Sequence, residues 1–139
     1  MARTTFNGPV VSQNGFIQGH QPTSANAINS DATATAAQVA DGYITSTSAA
    51  PTTITLPTGT ALGNFLGASR GTVLDLFIDN SAGASTVTVA VNTNAVLSSA
   101  AVDTAGSFGD LTIASGATGI ARFTLMFSSA TAYTFTRTA

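Results

Sequence analysis

The sequence predicts an all-β protein, an antiparallel jelly roll or β-sandwich with one or two short helices and an extended N-terminal arm. From about residue 43 onward, apolar and polar residues alternate with a period of two, as in strands that bury one face. Gly, Asn, Asp and Pro interrupt this alternation at spacings of roughly ten residues, as in sandwiches. Residues 1–42 are turn-rich and weakly periodic. We therefore assign 1–42 to an arm and lead-in, and 43–139 to the β domain.

The N-terminal arm combines apolar residues with turn signals. The stretch FNGPVVSQNGFIQGHQPTS, residues 6–24, contains no charged residue. It is too short to build a core of its own, so we expect other protein to cover its apolar side chains. The candidate anchors are Phe6, Val10, Val11, Phe16 and Ile17.

The first three strands of the β domain follow from short alternating runs. GYITSTS begins with Tyr43 and Ile44 and continues with Thr, which favours strands. PTTITLP is bracketed by prolines, which cannot donate to a ladder, so both of its ends are fixed; Ile54 and Leu56 share one face. TVLDLFIDN alternates throughout, with one face formed by Leu74, Leu76 and Ile78 and the other by Asp75, Phe77 and Asp79.

Four further runs complete the predicted set of seven strands: STVTVAV, DLTIAS, IARFTLMF and AYTFTRT. Each places apolar residues at every second position, with Gly, Asn or Ser between neighbouring runs as turn residues. The predicted inward side chains are Val87, Val89, Val91, Leu111, Ile113, Phe123, Leu125, Phe127, Tyr133 and Phe135.

Two short helices are also predicted. PTGTALGNFLGAS has Leu62, Phe65 and Leu66 at helical spacing, with Thr58 or Thr60 as the cap and Gly67 as the stop. TATAAQVADG has Thr35 three residues before Gln38, which is a capping-box pattern, and Gly42 would end it.

The composition excludes several classes of function. Only 7% of residues are charged, all of them Arg or Asp, and the net charge is −2. Nucleic-acid binding requires a basic stripe, which four scattered arginines do not make. We expect no membrane span, because no apolar run approaches about 20 residues, and no signal peptide. The chain has no cysteine, so disulfides and thiolate metal sites are excluded.

Residues for catalysis are few, and we expect no enzyme activity and no cofactor. His20 is the only histidine, and its QGHQP surroundings offer no orienting partner for a general base. Asp75 and Asp79 share a strand face, but a separation of roughly 13 Å exceeds that of a glycosidase pair. Structural calcium between Asp103 and Asp110 has no recognisable ligand spacing, so we expect no metal.

Three residues on outward strand positions are candidate interface residues. Phe77 lies between two Asp on its strand, and Arg122 and Met126 share the outer face of IARFTLMF. Apolar residues on an outer face, flanked by ions, would suit a patch that contacts a partner. Alternatively, the N-terminal segment covers this outer sheet.

The strand edges also need protection. Monomeric sheets block their edges with Lys, inward charges or bulges, and this chain has no Lys. The cover would be a symmetric partner, or an arm from residues 1 to about 30 of the same or a neighbouring chain. Twenty extended residues reach at most about 66–72 Å, which is enough to cross to another subunit.

Several segments resemble the head-decoration, or cement, proteins of tailed bacteriophages. These are FNGPVVSQNGF, ITSTSAAPTTITLPTGTALG, GTVLDLFIDNSAGASTVTVAV and FTLMFSSATAYTFTR, which span most of the chain. The resemblance implies a jelly-roll structural protein on the outer surface of the phage head, assembled in the host cytoplasm. It further implies binding to the major capsid protein and to itself, as a homodimer or alternatively a trimer, with no catalytic residues.

A host-recognition module is the alternative function. Thr-, Ser- and Asn-rich β domains also form phage fibres or knobs that bind surface glycans or receptors. Such a site favours aromatic side chains exposed in loops, whereas this chain has no Trp and both of its Tyr lie in predicted strands. This pattern favours the capsid-binding interpretation over the glycan-binding one.

Overall fold

The computed structural model describes residues 26–97 and 111–139, and within them the mainly-β class is confirmed. The anchors Phe6, Val10, Val11, Phe16 and Ile17, together with His20, Asp103 and Asp110, lie outside these ranges. In chain order the elements are β1 (Ala32–Thr33), α1 (Ala36–Ala40), β2 (Tyr43–Thr45), β3 (Thr52–Thr55), α2 (Gly59–Leu66), β4 (Val73–Asp79), β5 (Val87–Ala90), β6 (Ala95–Leu97), β7 (Thr112–Ile113), β8 (Ile120–Ser129) and β9 (Ala132–Arg137).

The strands form two sheets that share one core. The five-stranded sheet has the order β2-β4-β8-β9-β6, and the four-stranded sheet has the order β1-β3-β5-β7. Alternate residues of both sheets point into a single hydrophobic cluster, as the period of two predicts. Its largest fully buried side chains are Ile44, Ile54, Leu56, Leu62, Leu76, Ile78, Ile113, Phe123, Leu125, Phe127, Tyr133 and Phe135.

The prediction of antiparallel pairing is wrong for more than half of the ladders. β1–β3, β3–β5, β2–β4 and β6–β9 are parallel, and only β4–β8, β5–β7 and β8–β9 are antiparallel. The cause is the path of the chain, which alternates between the two sheets from β1 to β8. When the chain passes through the other sheet between two strands of one sheet, the second of those strands can run in the same direction as the first. The jelly-roll topology specifically is therefore not confirmed.

Both predicted helices are confirmed, with their caps. The hydroxyl of Thr35 accepts from the backbone N–H of Gln38 at 3.2 Å, and the Gln38 side chain accepts from the Thr35 N–H at 2.9 Å. This reciprocal capping box fixes the start of α1. The Thr58 hydroxyl caps α2 by accepting from the Ala61 N–H at 3.1 Å, and Gly67 ends α2 with a left-handed φ of 59°.

Helix α2 packs directly on the turn that joins β8 and β9. A Cβ atom on Gly63 would lie 1.9 Å from the carbonyl oxygen of Ala130, and one on Gly59 would lie 2.3 Å from that of Thr131. Only glycine at these two helical positions allows so close an approach to the backbone. Nearby, the buried hydroxyl of Tyr133 donates to the Pro57 carbonyl at 2.7 Å, and burial raises its pKa.

Two local expectations differ from the structure. Val91 is exposed rather than inward, because β5 ends at Ala90 and the next residues turn toward β6. In that turn the Asn92 side chain donates to the Leu56 carbonyl at 2.8 Å, and Asn94 adopts a positive φ of 56°. The short strands β1 and β6 were not predicted, since two or three residues are too few to show a period.

Residues 26–42, which the sequence analysis places in the lead-in, contribute to the core through Ile28, Ala34 and Val39. The chain enters the described structure at the edge of β2. There the Thr45 N–H donates to the Asn26 carbonyl, and the Ile28 N–H donates to the Thr45 carbonyl, both at 2.9 Å. Residue 27 thus forms a parallel bridge with Thr45 beside the five-stranded sheet.

Candidate functional site

The candidate site is the outer face of the five-stranded sheet, by which we mean its solvent-facing side. In the described part of the chain, seven large hydrophobic side chains are exposed, and only Val91 lies elsewhere. The other six alternate with buried neighbours on β2, β4, β6 and β8, so all of them point to this one face. They are Tyr43, Val73, Phe77, Val96, Ile120 and Met126.

Strand register divides these six residues into two groups. Tyr43 pairs with Phe77, while Ile120 pairs with Asp79 and so lies diagonally across from Phe77; we call Tyr43, Phe77 and Ile120 the proximal patch. In the described structure the side chains of the proximal patch are exposed, Phe77 by 39% and Tyr43 by 49%.

The second group lies at the other end of β4. Val73 pairs with Met126, Met126 pairs with Thr134 and Thr134 pairs with Val96; we call Val73, Met126 and Val96 the distal patch. A shallow groove of about 250 Å³ adjoins it, lined by Arg70, Gly71, Met126, Phe127, Ser128 and Thr134. An unbranched Met beside a groove can adapt its side chain to an irregular partner surface.

A polar row separates the two patches. Asp75, Thr124 and Thr136 lie side by side on β4, β8 and β9. The Thr124 hydroxyl donates to the Asp75 carboxylate at 2.7 Å, so this carboxylate has a partner within the face. The prediction that Asp75 and Asp79 occupy outward positions of one strand is confirmed.

The charged and hydroxyl side chains beside the proximal patch also form hydrogen bonds within the protein. The Tyr43 hydroxyl donates to one oxygen of Asp79 at 2.5 Å, and the Ser81 N–H donates to the other at 2.9 Å. Bonds from Ser81, and then from Tyr43, hold the pKa of Asp79 below its ordinary value. The same bond to the Asp79 carboxylate raises the pKa of Tyr43. Arg122, opposite Phe77, donates through Nε to the Thr138 hydroxyl at 3.0 Å.

Phe77, Arg122 and Met126 all lie on the outer face, where the sequence analysis placed them. Phe77 and Arg122 are direct cross-strand neighbours, whereas Met126 belongs to the distal patch. Sequence reasoning missed four residues of the face, although the same parity marks them: Val73 alternates with Leu74, and Ile120 with Ala121. The missed residues are Tyr43, Val73, Val96 and Ile120.

The face offers contact surface rather than reactive groups. In residues 26–97 and 111–139, no three His, Asp or Glu side chains group closely enough to hold a metal ion. No helix in these same ranges has the length and apolarity to cross a bilayer. What the face presents is aromatic and aliphatic area interrupted by internally hydrogen-bonded polar groups, a composition that suits contact with another protein.

Comparison with known proteins adds no relative. The chain matches no family model, no curated protein and no solved structure.

Proposed function

We propose that this chain is a structural virion protein that binds the outside of a tailed-phage capsid shell and stabilises the mature lattice. The observation that carries the proposal is the segregation of exposed apolar side chains onto one sheet face. A monomer that worked alone in water would gain nothing from Val73, Met126 and Val96 at outward positions. The resemblance to phage decoration proteins supplies the class of partner, the major capsid protein.

The distal patch is the part of the face that we assign to the shell. It combines aliphatic area with an open groove and the exposed Arg70. Few ions border it, so covering it with another protein costs little desolvation. The polar row of Asp75, Thr124 and Thr136 forms its rim toward the middle of the sheet.

Stabilisation follows from mass action. A protein that binds the mature lattice but not the procapsid shifts the equilibrium toward the mature form by its binding free energy at every occupied site. Repetition of the site over the shell adds avidity if the protein is a homodimer, because the second contact becomes intramolecular. The jelly-roll homodimer on the outer surface of the head, assembled in the host cytoplasm, stays a prediction.

Co-sedimentation tests this function. Heads of the phage that encodes the chain, prepared without the protein, are mixed with the purified protein at micromolar concentration. We expect binding to mature heads, at hundreds of copies per particle, and little binding to procapsids. The double substitution Val73→Thr with Met126→Thr should weaken binding at least tenfold, because it removes apolar contact while keeping β-branched or polar strand residues.

The matched control lies on the opposite side of the molecule. Thr53→Ala with Thr88→Ala changes two outward residues of the four-stranded sheet and should leave binding unchanged. Absence of binding to mature heads, or equal loss in both double variants, would contradict the proposed function.

Exposure of Tyr43 supports a second candidate, a fibre or knob module that binds a host-surface glycan. Tyr43 and Phe77 are cross-strand neighbours beside the Asp79 carboxylate, and exposed rings with adjacent acceptors can hold a sugar. A glycan-array screen distinguishes the two functions. Binding that Tyr43→Ala abolishes and Met126→Thr preserves, with a dozen or fewer copies per particle, would favour the knob.

A further inference from the structure

The proximal patch lies beside Asn26, the first residue that the structure describes after the N-terminal arm. Asn26 is fixed at the open edge of β2 by its carbonyl, and its side chain also donates to the Asp41 carboxylate at 2.7 Å. Because residue 27 pairs with Thr45 in parallel, Asn26 lies on the side of residue 27 toward Tyr43. Asn26, where the arm joins the described structure, and the proximal patch therefore lie at the same end of the sheet, near β2.

The distance from residue 27 to the patch is short enough for a segment of about ten residues to span. Neighbouring strands are about 4.8 Å apart, so Phe77 on β4 lies about 10 Å, and Ile120 on β8 about 14 Å, from the line of residue 27. Ten residues separate Ile17 from residue 27. A segment of ten residues reaches at most about 33–36 Å, and a flexible coil of that length spans about 16–19 Å on average. Phe16 and Ile17 are thus within reach of the patch.

The chemistry of the two surfaces is complementary. Phe16 and Ile17 are adjacent apolar residues in a stretch, 6–24, that has no charge. The patch offers the rings of Tyr43 and Phe77, and an aromatic side chain against them gains both buried area and edge-to-face contact. The neighbouring Asp79 already accepts hydrogen bonds from Tyr43 and Ser81, so an uncharged cover does not strip it of its partners.

We propose that Phe16 and Ile17 of the same chain cover the proximal patch in the free protein. The same chain is favoured over a second copy by effective concentration, which is millimolar for short tethers and greatest when tether length matches the span. The contact removes the apolar side chains of both surfaces from water. It goes beyond capsid binding, since it uses the proximal patch and is present without any shell.

Cross-linking of the free protein tests this contact. The chain has no cysteine, so two introduced thiols are unique. Gln18→Cys lies next to Ile17, and Arg122→Cys lies opposite Phe77 on the outer face, so the pair leaves all apolar residues of the contact intact. With a short bis-maleimide at low micromolar protein, we expect an intrachain cross-link. Its rate should exceed at least tenfold that of the control pair Gln18→Cys with Thr88→Cys on the opposite sheet.

A second measurement needs no thiols. Iodide quenching of tyrosine fluorescence reports on exposed Tyr43, because Tyr133 is buried and the chain has no Trp. Phe16→Ala with Ile17→Ala should raise the quenching constant at least twofold. The matched variant Val10→Ala with Val11→Ala should raise it by much less.

Three results would overturn the proposal. Cross-links between chains would make a second copy the occupant, equal rates for the two thiol pairs would leave the patch open, and equal quenching in both alanine variants would exclude Phe16 and Ile17. Each measurement is made without capsids, whereas the proposed function is tested by co-sedimentation through the distal patch. Failure of one is therefore distinguishable from failure of the other.

Discussion

The outward faces of the two sheets differ sharply in composition. On the four-stranded sheet, the outward positions of β3, β5 and β7 are Thr or Ala, as at Thr53 and Thr88. On the five-stranded sheet, the equivalent positions hold aromatic, aliphatic and charged residues as well as Thr, as at Phe77, Arg122 and Met126. Both sheets bury their alternate residues in the same core, so both inward faces require apolar side chains.

This difference separates the needs of folding from those of contact. Thr is β-branched, favours strands and carries a hydroxyl, so a Thr face satisfies both strand geometry and water. The four-stranded sheet shows that this chain can use that solution. Folding alone therefore does not explain Phe77 or Met126 at exposed positions of the other sheet. The two proposed contacts would explain them, the arm of the same chain at Phe77 and the capsid shell at Met126.

Substitution of inward and outward Phe residues gives the largest expected effect. Phe123 is fully buried on β8 and packs edge-to-face on Phe135, with ring centroids 6.3 Å apart. Phe123→Ala should lower the free energy of unfolding by about 3–5 kcal/mol through lost burial and a cavity. Phe77 lies on β4, next to the residue that pairs with Phe123. Phe77→Ala should lower the free energy of unfolding by less than about 1 kcal/mol. Urea denaturation with matched slopes measures both.

A cost for Phe77→Ala close to that for Phe123→Ala would contradict the comparison, because it would make Phe77 a structural residue. If the arm covers Phe77, the loss of unfolding free energy on Phe77→Ala should be moderately larger. This additional loss should disappear when the substitution is made in a chain that lacks residues 2–24.

Much of the β architecture was predictable from local sequence. Alternation located seven of the nine described strands, and cap residues such as Thr35, Thr58 and Gly67 located both helices. These signals work because side-chain direction and capping depend on neighbours within a few residues.

Strand direction was not predictable in the same way. Alternation reports that a strand buries one face, and it carries no information on which strand lies beside it. The parallel ladders arise from the path of the chain between sheets, which is a property of the connections rather than of any strand. The turn before β6 was a missed signal, since Asn92 and Asn94 are residues that favour turns and positive φ.

The candidate site was predictable only in part. Parity identified Phe77, Arg122 and Met126 as outward residues, but their grouping required the register of β4 against β8. The position of Tyr43 in a predicted strand argues against exposure, whereas its outward parity leaves it exposed and beside Phe77. Position on a strand therefore says little about exposure until the buried face is known.

A smaller effect is expected from the helix that supports the distal patch. Gly63→Ala adds a Cβ that would lie 1.9 Å from the Ala130 carbonyl oxygen, at the turn between β8 and β9. Helix propensity alone predicts stabilisation by about 1 kcal/mol. Steric overlap with the backbone predicts a net loss of about 1–3 kcal/mol, because the helix or the turn must shift. Thermal denaturation decides the sign.

The matched control is Asn64→Ala, an exposed position of the same helix, which should be neutral or slightly stabilising. Since the displaced turn joins the strands that carry Met126 and Thr134, Gly63→Ala should also weaken binding through the distal patch. The Thr face of the other sheet should be unaffected. Stabilisation by Gly63→Ala would show that α2 does not depend on this close approach.

The smallest effect concerns pH, and it belongs to the outer face alone, because no strand residue of the four-stranded sheet is ionisable. The pKa of Asp79 is lowered in the folded protein by bonds from Ser81 and Tyr43. A lowered carboxyl pKa contributes stability that is present above the ordinary value of 3.8 and is lost as pH falls through the folded value. Tyr43→Phe removes one donor, so the pKa of Asp79 in an NMR titration should rise toward its ordinary value. The loss of thermal stability as the pH falls below 3.8 should then be shallower than in the parent chain, whereas Thr88→Ala should leave both curves in place. An unchanged Asp79 titration in Tyr43→Phe would mean that Ser81 alone holds the carboxylate, and that the Tyr43 hydroxyl is available to a partner.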